Sequence, residues 1–138
     1  MSSSGVEAID RSMHRTYAWI GDLASELGSE DRRQGYRVLR GVLHVLRDRL
    51  PGEEGAHLAA QLPHFTRGVF YEGWKPSASP QTFRSRAELL ERLALAGPTK
   101  ASLVLEACGR VLRRHVGDGE VRDVLDNLPD ELRASPPG

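Results

Sequence analysis

The run Tyr36-Arg37-Val38-Leu39-Arg40-Gly41-Val42-Leu43-His44-Val45-Leu46-Arg47-Asp48-Arg49-Leu50 decides what kind of fold this is. Its apolar residues Val38, Leu39, Val42, Leu43, Val45, Leu46 and Leu50 recur at steps that fit a helical face and not the alternation of a strand. They cover more than one narrow stripe, so a helix over about 31–50 is largely buried. Pro51-Gly52 breaks it.

The same spacing extends outward in both directions. Upstream, Ile9, Met13, Tyr17, Ile20, Leu23 and Leu27 mark a helix that starts near Val6 and closes at Gly28, where a left-handed residue costs little. Ser29 is the expected cap of the following helix, with Glu30 and Asp31 in its first turn. Downstream, a short helix over 53–61 is stopped by Leu62-Pro63, and Pro63 suits the first turn of another piece running to about Phe70. The aromatic connector Phe70-Tyr71-Glu72-Gly73-Trp74-Lys75-Pro76 follows, and a turn-like spacer extends it to Pro80. Ser85-Arg86-Ala87-Glu88 reads as a capping box ahead of Leu89, Leu90 and Leu93. Gly97-Pro98 separates that helix from one over about 99–116, and a last short helix over 119–127 ends at Leu128-Pro129. Asp130 to Arg133 add a turn. No segment alternates with a period of two, so no sheet is expected.

The two Leu-Pro stops lie 66 residues apart, and that offset aligns the two halves without gaps. It pairs Thr16 with Thr82, Leu23 with Leu89, Val38-Leu39 with Val104-Leu105, and Val45-Leu46-Arg47 with Val111-Leu112-Arg113. Glu54 falls on Glu120, Arg67 on Arg133 and Val42 on Cys108. Half of this chain would bury too little surface to be secure alone. The expectation is therefore a single all-α domain over 1–138, a compact helical bundle of two tandem three-helix repeats related by approximate internal two-fold symmetry. Repeat one spans about 6–70, the connector 70–80, repeat two about 81–133, and a frayed tail 134–138.

Composition narrows the function classes. The chain is 39% hydrophobic and 28% charged with no net charge, as a water-soluble globular domain is. The balance also holds within each half, so whole-molecule attraction to nucleic acid or anionic membrane is not expected and any such binding needs a local patch. Cys108 is the only cysteine, which rules out an intrachain disulfide and a cysteine-based metal cluster. The N-terminus does not read as a secretory signal, and no run approaches the roughly 20 apolar residues needed to cross a bilayer. A cytosolic location is the simplest expectation, with no membrane partner.

Several stretches together resemble one family. They are Thr16-x-x-Trp19, the run 36–50, Ala56-His57-Leu58-Ala59-Ala60-Gln61-Leu62-Pro63, and Arg67-Gly68-Val69-Phe70-Tyr71-Glu72-Gly73-Trp74. As a set they are similar to the bacterial "domain of unknown function 2267" proteins, and the resemblance covers nearly everything from Thr16 to Arg133. It implies an all-helical, cytosolic, tandem-repeat bacterial protein with no settled activity, catalytic residues or cofactor. Lys75 departs from the similar Gly-Trp-Asp-Pro pattern, so a partner that depends on that acid is in doubt here.

Candidate chemistry is sparse. Arg33, Arg37, Arg40, His44 and Arg47 fall within an arc of about 80° opposite the apolar face, a ridge suited to phosphate, RNA or an acidic protein surface. The same pattern is also that of a solvated helix face paired within the molecule. Arg49 lies on the apolar side, where a guanidinium needs a carboxylate such as Glu53 or Glu72, so Arg49 with Glu72 is expected to form a structural polar clamp. Tyr71 and Trp74 of the connector either plug the seam between repeats or line a groove there. No two of His14, His44, His57, His64 and His115 are three or four apart, and neither a metal nor another cofactor is expected. Cys108 reads as a small core residue and Gly117-x-Gly119 is too short for a phosphate loop, so no catalytic residue is assigned.

The sequence thus supports a small non-catalytic interaction or accessory protein with a protein partner or self-association, the latter through apolar surface on the second and fifth helices. A binder of nucleic acid or another polyanion through the Arg33, Arg37, Arg40, His44 and Arg47 face is the next reading. A small-molecule binder or enzyme using a pocket near Tyr71, Trp74 and Arg49 comes third.

Overall fold

The computed structural model describes residues 4–50, 52–75, 101–116, 119 and 122. All regular structure among them is helical: α1 (Glu7–Glu26), α2 (Arg32–Arg49), α3 (Gly52–Ala60), α4 (His64–Tyr71) and α5 (Ala101–His115). The expected spacer, the capping box at Ser85 and the helix after it lie outside the described residues. So does most of the last short helix, of which Gly119 and Arg122 are described as helical.

The helix ends follow from local chemistry. Gly28 takes a φ of +72°, and two backbone bonds close α1 around it: Gly28 N–H donates to Ser25 O and Ser29 N–H to Ala24 O. That pair is a Schellman cap, which only a residue tolerant of the left-handed region permits cheaply. The cap of α2 is Asp31 and not Ser29. Asp31 Oδ1 accepts from Arg33 N–H at 2.9 Å, while the Ser29 hydroxyl accepts from Asp31 N–H and shapes the turn before it. The helix therefore starts later than Ser29 implies, and its first turn holds no acid. Pro63, in extended geometry, is the N-cap of α4.

Three helices build the core. α1 contributes Trp19 and Leu23, α2 contributes Val38 and Leu43 with Leu50 just past its end, and α5 contributes Val104, Ala107, Cys108 and Val111. α3 and α4 close one side with Leu58, Leu62 and Phe70. Gly35 brings α2 hard against α1, since a Cβ there would stand 2.5 Å from Ile20 O. Among the described residues, α2 and α5 behave alike at the 66-residue offset. They end at Arg49 and His115, and the pairs Val38/Val104, Val42/Cys108 and Leu50/Val116 are all buried.

Beyond the apolar core, buried hydroxyls tie α4 to α1. The Ser12 hydroxyl accepts from Phe65 N–H at 2.9 Å, occupying a free amide at the start of α4. Thr16 Oγ1 donates to Ser12 O and lies 3.1 Å from Thr66 Oγ1. No described helix is long and apolar enough to cross a membrane.

Candidate binding surface on the second helix

The basic face of α2 divides into two halves with different fates. Its C-terminal half points at the end of α4, where backbone carbonyls lack helical partners. His44 Nε2–H donates to Val69 O at 2.7 Å. Arg47 Nη1 donates to Glu72 O at 2.5 Å and Phe70 O at 3.3 Å, and its Nε meets Asp48 at 3.0 Å. Arg40 pairs with the Glu72 carboxylate at 2.8 Å, which also lies 4.0 Å from His44. Cationic donors at a helix C-terminus satisfy its carbonyls and complement its dipole. Burial pushes the His44 pKa below its ordinary value; the neighbouring Arg47 and Arg40 push the same way, against Val69 O and Glu72.

This arrangement corrects the expected clamp. Arg47, 9% exposed, is the buried guanidinium that holds Glu72, and it does so through the backbone carbonyl. Arg49 is only partly buried, and its Nε has no hydrogen-bond partner among the described residues. The angular position of each arginine on its own helix is the expected one. What differs is that α4 lies over the basic face and brings carbonyls to it.

The N-terminal half stays outside. Arg32, Arg33, Tyr36 and Arg37 line an open groove of about 450 Å³ on the protein surface. Arg33 leans on Asp31 at 3.4 Å, and Asp31 is already occupied as the helix cap. Arg33 N–H, foremost, and the Arg33 and Arg37 charges hold the Asp31 carboxyl below its ordinary pKa. Arg32 lies over the exposed Tyr17 ring, 5.5 Å from its centroid. Among the described residues no carboxylate lies within 4.0 Å of Arg32 or Arg37. Arg32, Tyr36 and Tyr17 did not stand out in the sequence. Arg32 and Tyr36 flank the arginine stripe at 100° per residue, which is the signal that finds them.

The other candidates resolve into structure. In the connector, Phe70 is core, Tyr71 meets it edge-on at 5.1 Å, and Trp74 tilts against Tyr71 at 5.6 Å. Gly73 turns the chain there at φ +73°. Arg49 does not join Tyr71 and Trp74 in any contact described. A cavity of about 10 Å³, room for one water, lies elsewhere, between α1, α2 and α5. Its walls are aliphatic apart from Trp19 and Cys108, and burial pushes the Cys108 thiol up to about 12. Such a thiol is no nucleophile near neutral pH.

On α5, Arg110 and Arg114 both pair with Glu26, and His115 Nε2 stands 2.7 Å from Asp22 while its ring stacks on Trp19. The two arginines lower the Glu26 pKa. These basic residues fasten α5 to α1. Among the described residues no group of three or more His, Cys, Asp or Glu could hold a metal. Of the described apolar residues on α2 and α5, Val38, Leu39, Val42, Leu43, Val104, Cys108 and Val111 are buried, and Val45, Leu46 and Leu112 are partly so. Among the described residues the exposed large apolar side chains are Val6, Ile9, Tyr17, Phe65 and Tyr71.

Comparison with known families settles the chain's kinship. It belongs to the family described as "Uncharacterized conserved protein (DUF2267)", whose profile matches residues 16–135. No curated protein matches it.

Proposed function

We propose that this member of an uncharacterised family works by binding and not by catalysis, as a small accessory protein of the bacterial cytosol that engages an anionic partner through the start of α2. One observation carries the reading. The molecule spends Arg40, His44 and Arg47 on closing α4, yet leaves Arg32, Arg33 and Arg37 grouped around a groove and turned to solvent. Elsewhere the chemistry-bearing groups have structural work: His115 and Arg114 hold α1, Arg67 caps α3, and Cys108 is core. The cavity between α1, α2 and α5 has room for no more than a water.

The test is a paired capture from the native cell, using the wild-type chain and an Arg33→Glu/Arg37→Glu chain as baits. Both substitutions lie on an exposed helix surface, so both baits should show the same far-UV circular dichroism. A partner recovered with the first and lost with the second supports the reading. Identical recovery by the two would overturn it.

We also propose the two-repeat bundle for the whole chain. Its supports are the 66-residue offset, the shared ends and burial of α2 and α5, and a further coincidence of charge. The offset carries the pair Asp22 and His115 onto Glu88 and Arg49, and the pair Glu26 and Arg114 onto Arg92 and Asp48. Opposite charge is kept in both, and in the second the signs are exchanged.

A further inference from the structure

Resting on that reading of the groove, we infer that its partner is a single-stranded nucleic acid, held by arginine forks on its phosphates and by tyrosine rings against its bases. Arginine presents a planar fork that matches the oxygens of a phosphate or a carboxylate in pairs, and here Arg32, Arg33 and Arg37 converge on one groove, so the anion is called for by charge and its class by the aromatic residues beside it. An aromatic component adjoins it: Tyr36, half-buried against the core, is part of the groove's lining, and the exposed Tyr17 ring outside that lining carries the Arg32 guanidinium, so that Arg32 must swing off Tyr17 before a base can take its place. A base has a face to lay on such rings, whereas aspartate and glutamate side chains have none. The surface is open and broad enough to receive more than a lone phosphate.

Duplex nucleic acid fits less well. Reading a duplex groove calls for a helix or strand ribbon entering it over several turns, whereas here the groove's exposed arginines occupy only the first turns of α2 and the rest of its basic face is covered by α4. The contact is also short. Three arginines predict a shallow salt dependence, because each neutralised phosphate of a single strand contributes a slope of about −0.7 in log affinity against log salt. The chain has no net charge, so no whole-molecule attraction adds to it.

The experiment is fluorescence anisotropy of a labelled oligo(U) and a labelled oligo(dT) with the full chain at low salt, followed by a salt titration. Binding with a log–log slope of about −2 is expected, reflecting about three contacts. Arg33→Glu/Arg37→Glu should weaken it by roughly tenfold or more, and Tyr36→Ala and Tyr17→Ala by several-fold each. Arg113→Glu, on the exposed side of α5, should leave it unchanged. Absence of binding at about 25 mM salt, or equal loss in the Arg113 variant, overturns the inference. So does equal competition by inorganic polyphosphate with no effect of either tyrosine, which would make the site a phosphate cradle. Preference for a labelled oligoglutamate over both oligonucleotides also overturns it. In that last case the groove remains the binding surface, and only the class of partner falls.

Discussion

Arg47 and Arg49 stand two positions apart on α2, and the environment of each reverses the role its helical angle suggests. Arg47 belongs to the polar arc, but α4 ends directly over it, so its guanidinium becomes the donor for Phe70 O and Glu72 O. A helical wheel reports what faces away from a helix's own apolar stripe and nothing about what another helix lays there. Replacing Arg47 with Met should therefore destabilise the fold by about 1–3 kcal/mol for each carbonyl left unpaired. Arg47→Lys, which keeps charge but not the fork, should recover only part. Urea unfolding gives the values, and a Met variant within about 0.5 kcal/mol of wild type would contradict the cap. His44 adds a pH dependence. Its folded pKa is lowered, so the unfolded chain binds the proton more readily and the stabilisation is present above the ordinary pKa of 6.5. Stability should decline as pH falls below that value, and His44→Gln should flatten the decline. A parallel pH profile in wild type and variant would refute the assignment.

At the scale of elements, periodicity located every described helix to within a residue or two, because apolar spacing is a strong signal over a long helix. It misplaced the cap of α2, since Ser29 and Asp31 are both competent and backbone geometry chooses between them. Two features had no sequence signature at all. The buried Ser12, Thr16 and Thr66 hydroxyls look like ordinary polar positions until α4 is placed on α1. The close crossing at Gly35 likewise depends on which helix lies opposite. That crossing makes a paired prediction. Gly35→Ala forces a Cβ to within 2.5 Å of Ile20 O, a backbone atom that cannot swing aside, and should cost roughly 1–3 kcal/mol. Gly21→Ala on α1 meets nothing within 4 Å and should instead gain about 0.5–1 kcal/mol from helix propensity. Thermal unfolding of the two variants separates the cases, and stabilisation by both would remove the tight contact.

For the whole molecule, the basic surface was legible as a stripe but not in its division, because the dividing line is where α4 stops covering α2. The proposed two-fold arrangement makes its own prediction through Arg49, whose buried Nε finds no partner among the described residues. The offset assigns it Glu88, which lies outside them. Glu88→Arg should lower stability, and adding Arg49→Glu should restore part of it, with a coupling of at least about 0.5 kcal/mol in a double-mutant cycle. Strict additivity of the two changes would dismiss the symmetry. Cys108 has a different use. It is the chain's single thiol, it lies where α1, α2 and α5 meet, and its pKa near 12 leaves it protonated and shielded. A thiol reagent can reach it only when those three helices part, so the rate of its modification is a clock for opening of the core. The native protein thus contains its own reporter of conformational fluctuation, readable in the wild-type chain without a label. Any ligand held at α2 should slow that clock in proportion to its occupancy.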